Sequence, residues 1–205
     1  MTAVWQDIWT GLTTASPLDQ VNLVLGIVGV WLMIRRSLWA FPVGLAAVTV
    51  QGVLFWQTKF YADARLQGFY FGSLVYGWWH WVRHRGNAPE LPVTRLGWRA
   101  RGKYALSGLV VTLVWAEYQR RYTDAVMPYR DAFVATFGLV AQVLQVRKHL
   151  ENWPVWVVVN LVTVVSCLRV APPLYFTAVL YAIFLIMALA GWREWRRAMN
   201  QKKCS

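Results

Sequence analysis

The chain has 205 residues, 58% of them hydrophobic and 15% charged, with a mean hydropathy of +0.37 and a formal net charge of +12. A soluble domain of this size needs more charge and amphipathic periodicity to keep a wetted surface, so the composition excludes one and points to a membrane protein. The basic balance is that of cytoplasmic loops, which collect Lys and Arg, and no nucleic-acid partner is expected.

In chain order, Met1–Pro17 has no basic n-region and no long apolar stretch, so a cleavable signal peptide is not expected. Trp5 and Trp9, at i and i+4, instead suggest a short segment lying in the membrane interface. Seven apolar segments follow, at about 19–35, 38–57, 62–82, 103–119, 130–147, 153–170 and 172–192. Each approaches the length that crosses roughly 30 Å of hydrocarbon at about 1.5 Å per residue. Arg35-Arg36, Lys59 and Arg147-Lys148-His149 mark short turns, and the longest connection, Arg83–Lys103, holds Gly86, Pro89 and Pro92. It is predicted to be a loop, which leaves 1–205 as a single integral membrane domain. Trp78, Trp79, Trp81, Trp192 and Trp195 cluster at segment ends, as interfacial aromatic belts do.

The distribution of Lys and Arg sets an orientation. Fifteen lie on the side of the C-terminus and six on the side of the N-terminus. The bias places the C-terminus in the cytoplasm and the N-terminus outside.

The chain also aligns with itself. At an offset of 112, Arg35-Arg36-Ser37-Leu38-Trp39-Ala40-Phe41-Pro42-Val43 matches Arg147-Lys148-His149-Leu150-Glu151-Asn152-Trp153-Pro154-Val155, and Asp19 pairs with Asp131. After a two-residue slip, Tyr61 pairs with Tyr175 and the run Gly77–Trp81 with Gly191–Trp195. Segments one to three (about 19–82) thus resemble segments five to seven (about 130–195), with 103–119 as a linking helix. The fold class expected is an all-α membrane protein of seven transmembrane helices, with parallel three-helix repeats in a 3+1+3 arrangement. Parallel-repeat transporters bind substrate near the midplane, between the halves.

The sixth segment carries Trp153, Trp156, Asn160 and Thr163 on one helical face. Two aromatic rings followed by an amide and a hydroxyl can sandwich a flat ring and hydrogen-bond its substituents, and a cationic heterocycle suits the aromatic faces. Trp153 taken alone reads equally as an interfacial anchor, and Asn160 as helix–helix glue. The third segment offers Gln67 and Tyr70 and the fifth Thr136, Gln142 and Gln145, since amides within hydrocarbon face the protein interior; Asn22, Thr49 and Gln51 are weaker candidates. No segment holds a central Asp, Glu, Lys or Arg, which argues against proton coupling; Asp63, Glu117 and Asp131 lie near predicted ends. There is no phosphate-binding GxxxxGK[ST] loop, no Cys/His cluster for a metal and no nucleophile–base arrangement. Cys167 and Cys204 are not expected to pair, no cofactor or metal is expected, and the protein is not read as an enzyme.

At these residues the chain resembles the nicotinamide riboside transporter (Pnu) family of bacterial vitamin transporters. The resemblance rests on Phe60-Tyr61-Ala62 through Leu66-Gln67, on Tyr76-Gly77-Trp78 and Trp81, and on Asp131, Gln142 and Arg147-Lys148. It continues through Glu151-Asn152-Trp153 with Trp156 and Asn160, then Leu174-Tyr175 and Gly191, covering nearly all of 19–195. Pro154 inside the tryptophan motif departs from the family pattern; in a first helical turn its missing N–H loses nothing. The resemblance implies the same 3+1+3 architecture and facilitated diffusion of a vitamin precursor, trapped by a cytoplasmic kinase that phosphorylates it. It also implies homotrimers, and a substrate site lined by Trp153, Trp156 and Asn160 with Gln67 and Gln142 nearby. Nicotinamide riboside is the default substrate; the quoted residues do not separate it from thiamine or riboflavin. A non-transporting membrane scaffold is the alternative of another class, and it gives no reason for the aromatic–amide stripe. The paired Pro42 and Pro154, and the Pro172-Pro173 step, are hinge candidates that helix starts also explain.

Overall fold

The computed structural model describes residues 2–13, 16–86, 88, 90–170 and 173–201; Pro172, Lys202, Lys203 and Cys204 of the sequence reading lie outside them. The described residues form eight α-helices: α1 (Thr2–Thr13), α2 (Pro17–Ile34), α3 (Ala40–Gln57), α4 (Tyr61–His84), α5 (Trp98–Tyr122), α6 (Pro128–Val146), α7 (Asn152–Arg169) and α8 (Tyr175–Gln201). Helices α2–α8 fall on the seven apolar segments, and α1 falls on the N-terminal stretch with its exposed Trp5 and Trp9. By length and composition α2, α3, α7 and α8 are apolar enough to cross a membrane. The other three, at 24, 25 and 19 residues, are as long but more polar.

The helix ends follow from local chemistry. Ser16 caps α2 by accepting from the Asp19 N–H, while the Asp19 carboxylate accepts from the Ser16 N–H, a reciprocal capping box. At its other end, the Arg36 N–H reaches the Met33 carbonyl (3.0 Å) and the Ser37 N–H reaches that of Leu32 (3.0 Å). Arg36 takes a left-handed φ of 57°, completing a Schellman turn. The end of α6 repeats this bond for bond: Lys148 N–H to Gln145 (2.9 Å), His149 N–H to Leu144 (2.9 Å), and φ 59° at Lys148. Glycine is the usual residue at such a turn, and an L side chain there costs roughly 1 kcal/mol. Pro42 and Pro154 each sit third in their helices, α3 and α7, where no intrahelical bond is lost.

Six helices close a ring through the contacts α2–α3–α4–α6–α7–α8–α2; α5 packs on α6 and α1 on α8. Two tryptophans tie the ring at one end. The Trp81 indole N–H of α4 donates to the Val146 carbonyl at the end of α6 (2.9 Å), and the Trp195 N–H of α8 donates to Met33 at the end of α2 (3.1 Å). Both rings are fully buried, Trp81 edge-on to Phe41 and Trp195 edge-on to Trp153. Gly77 and Gly191 admit these rings: a Cβ at 77 would lie 2.8 Å from Phe41, and one at 191 would lie 2.6 Å from Trp153.

The α4–α5 connection is stitched across this end. Thr94 exchanges backbone bonds with the α6–α7 turn, donating to Lys148 (3.1 Å) and accepting from Leu150 (2.9 Å). Glu90 pairs with Arg36 (3.0 Å) and Lys148 (3.5 Å), two of the three described non-glycine residues with a left-handed φ; the third, Lys59, follows the end of α3. Glycine in place of Arg36 or Lys148 would remove that cation, which gives the strain a structural return. His149 bonds Thr94 Oγ1 through Nδ1 (2.8 Å), and burial holds its imidazole below the ordinary range.

Gly191→Ala is expected to lower stability by about 1–3 kcal/mol, because the Trp153 ring is locked and cannot yield. Gly68→Ala, where a Cβ meets nothing within 4 Å, should be neutral or slightly stabilising. Melting in detergent compares the two, and equal melting temperatures would contradict this packing.

Candidate functional site

Inside the ring, α2, α6, α7 and α8 enclose a cavity of about 310 Å³, at the low end of the range for small-molecule sites. Its chemistry is concentrated on α7. Asn152 starts that helix, and spacings of three and four then bring Trp153, Trp156 and Asn160 onto the cavity wall. Helix α6 adds Gln142 and Gln145, and α8 adds Tyr181, Phe184 and Ala188. Helix α2 contributes only the apolar Val30 and Met33.

Hydrogen bonding separates the wall residues already engaged from those that are not, including Trp153, whose indole nitrogen is buried without a partner among the described residues. The Trp156 indole N–H donates to Gln145 Oε1 (2.8 Å), which fixes the plane of the ring. Gln142 Nε2 donates to Ser73 Oγ of α4 (3.1 Å), so its amide is oriented from behind. Trp153 lines the cavity but lies mainly in the core between Gly191 and Trp195. The Asn160 side chain is only 6% exposed, and among the described residues its carboxamide has no hydrogen-bond partner. Its amide is on the cavity wall, where it can exchange hydrogen bonds with a molecule that brings its own donor and acceptor.

The remaining sequence candidates lie elsewhere. Thr163 is buried one turn beyond Asn160 and donates back to the Val159 carbonyl (2.9 Å). Tyr70 belongs to the α4–α6 contact, where a Cβ on Gly138 would come within 3.0 Å of its hydroxyl oxygen. Gln67 lines a second chamber of about 340 Å³ together with Asn22 and Gln51, whose side chains bond each other. Tyr181 and Phe184 border both chambers, so the two abut at one aromatic pair on α8. Thr136 is buried and outside the cavity lining. Sequence reading did not single out Tyr181 and Phe184, although a tyrosine three residues before a phenylalanine in an apolar helix was the available signal.

The cavity lining has four aromatic rings, three amides and one phenol, and no charged side chain. Such a box suits a flat, weakly hydrated ring: the aromatic faces attract a delocalised cation, and the amides read its polar substituents. A phosphate or carboxylate would find no counter-charge there.

Fold and composition together define a multi-pass membrane protein with an uncharged aromatic cavity inside its ring of helices. A sequence-family model, the nicotinamide mononucleotide transporter, matches residues 16–197, and the chain belongs to that family. It is 26% identical to the nicotinamide riboside transporter PnuC of Escherichia coli K12, over 90% of this chain and 87% of that protein. It is 29% identical to the riboflavin/roseoflavin transporter RibM of Streptomyces davaonensis, over 86% of this chain and 83% of the relative. The fold is similar to that of a crystal structure of the vitamin B3 transporter PnuC, with a TM-score of 0.75 and 21% identity over 97% of this chain and 88% of that one.

The Gln145 acceptor is expected to matter through Trp156. Gln145→Leu should free the indole and weaken ligand binding by roughly three- to tenfold, the loss of about one neutral hydrogen bond. Titration calorimetry on the purified variant checks it, and unchanged affinity would mean that the orientation of Trp156 is irrelevant.

Proposed function

We propose that the protein carries nicotinamide riboside across the bacterial inner membrane by facilitated diffusion. The observation that carries this reading is Asn160: a carboxamide beside Trp156 on the wall of an uncharged aromatic cavity, with no hydrogen bond of its own among the described residues. Nicotinamide riboside offers a pyridinium ring for the aromatic faces and a carboxamide whose donor and acceptor complement Asn160. The relatives named for nicotinamide riboside support the same choice. Riboflavin is the second reading, favoured by the similarity to RibM. Its three fused rings and ribityl chain fit a cavity of about 310 Å³ less well than a single ring does. Thiamine, with its own cationic ring, remains the comparison ligand.

In the membrane the chain is read as seven crossings, α2–α8, arranged as two parallel triads joined by α5. The matched turns at Arg36 and Lys148 and the exchanged tryptophan bonds support this reading. Fifteen basic residues against six support an N-terminus in the periplasm and a C-terminus in the cytoplasm. Direction comes from outside the carrier, through phosphorylation of the arriving vitamin by a cytoplasmic kinase. Assembly as a homotrimer in the lipid bilayer completes the proposal.

Proteoliposomes holding the purified protein should equilibrate labelled nicotinamide riboside without ATP or a proton gradient. Asn160→Ala should weaken binding by roughly five- to thirtyfold while the protein still melts cooperatively, the loss of a buried amide pair. Flux of riboflavin or thiamine alone would reassign the substrate. No flux of any of the three would leave the scaffold reading standing.

A further inference from the structure

A second polar cavity, of about 440 Å³, opens where α4 and the α6–α7 turn meet the α4–α5 connection. Three histidines and an arginine line it (His80 and His84 on α4, His149 and Arg147 on the turn), with Tyr76 and Thr94 among the rest. No carboxylate lines it. Three of the carboxylates at this end are already engaged: Glu90 by Arg36 and Lys148, Glu151 by Arg101 and the Leu96 N–H, and Glu194 by Arg36. Arg147 makes no ion pair among the described residues; one of its nitrogens donates to the Tyr104 hydroxyl (3.2 Å), and the rest of its planar fork is left for a ligand.

The histidines are set by contacts rather than left loose. The rings of His80 and His84 lie 4.3 Å apart, and Tyr76 stacks on His80. His84 Nδ1 lies 3.1 Å from the His80 carbonyl, which can only accept, so that nitrogen carries the proton and Nε2 is the free ring atom. His80 Nδ1 is buried without a hydrogen-bond partner. The described residues contain no group of three His, Cys, Asp or Glu side chains placed to hold a metal ion. What remains is a concave, carboxylate-free site with one fixed cation and three imidazoles in its wall.

We propose that this cavity binds a phosphate group, with the Arg147 guanidinium as its principal contact and His80 and His84 forming the wall beside it. A guanidinium fork in a carboxylate-free concavity is an arrangement that phosphate oxygens select. The group belongs either to a soluble phosphomonoester or to an anionic lipid headgroup, since basic pockets at a helix end on the cytoplasmic side of a membrane take both. The site stands apart from the aromatic cavity, which no charged residue lines, so it does not rest on the transport assignment.

The test has two arms on the full-length chain. In neutral detergent, inorganic phosphate and ribose 5-phosphate are titrated and followed by melting temperature and calorimetry. In nanodiscs, phosphatidylcholine alone is compared with phosphatidylcholine containing phosphatidylglycerol. One arm is expected to stabilise the protein, and Arg147→Gln should weaken that effect by about tenfold, as should His84→Gln to a smaller degree. Arg147 is exposed, so its replacement is not expected to impair folding; nicotinamide riboside binding serves as the check and should be unchanged. A response confined to the soluble probes identifies a phosphomonoester site, and one confined to phosphatidylglycerol a lipid site. Absence of an Arg147-dependent effect in both arms overturns the proposal.

Discussion

The architecture depends on an exchange of two hydrogen bonds. Trp81, from the third ring helix in sequence, reaches the last carbonyl of α6, and Trp195, from the sixth, reaches a carbonyl at the end of α2. Each indole reaches a backbone acceptor at the end of a distant helix: Val146 lies among the last carbonyls of α6, and the Met33 carbonyl takes the Trp195 bond in addition to that of the Arg36 N–H. In a membrane that matters more than in water, because an unmet carbonyl facing hydrocarbon has no solvent to fall back on. The two rings are also 6.0 Å from each other, so the exchanged bonds meet in one buried aromatic cluster with Phe41 and Trp153. Glu90 adds a third tie by pairing with both Arg36 and Lys148. The closed end of the ring is therefore rigid, and the cavity sits directly against it, with Met33 and Trp153 shared between lock and cavity wall.

That sharing explains how one scaffold produces a one-sided site. The triads present equivalent positions to the interior, but the residues placed there differ. Trp156 and Asn160 on α7 align with Gly44 and Val48 on α3. Gly44 is used for packing instead: a Cβ there would come within 3.3 Å of Leu74. The α2 wall is apolar and featureless, whereas α6 and α8 supply amides, a phenol and a phenyl ring. In the function proposed, α2–α4 keep the geometry and α6–α8 carry the recognition chemistry.

Much of this was legible in the sequence because the physics is local. Membrane thickness sets segment length, and a short turn must be broken by charge or left-handed backbone, so seven helices follow from apolar runs and basic dipeptides. The helix ends were less legible. Helix α5 runs from Trp98 to Tyr122 rather than over 103–119, since long basic side chains allow a helix to continue past the hydrocarbon edge. The α7 stripe was legible because helical spacing alone puts Trp153, Trp156 and Asn160 on one face. Spacing gives a face, however, and not a height or a neighbour. Gln67 and Tyr70 on α4 do face the interior, yet one meets the second chamber and the other meets α6. Thr163 shares the face of Asn160 but lies one turn beyond, where its hydroxyl returns to its own helix. Tyr181 and Phe184 escaped because an aromatic residue in an apolar helix reads equally as lipid-facing until the ring of helices is closed.

The central claim is that the aromatic–amide cavity beside the tryptophan lock is where the vitamin rests in transit. A structure of the protein crystallised or vitrified with nicotinamide riboside tests it most directly. The account predicts density for the pyridinium ring against Trp156, with its carboxamide within hydrogen-bonding distance of Asn160 and the exchanged Trp81 and Trp195 bonds intact. Ligand density confined to the chamber of Asn22, Gln51 and Gln67, with the Asn160 cavity empty, would contradict it.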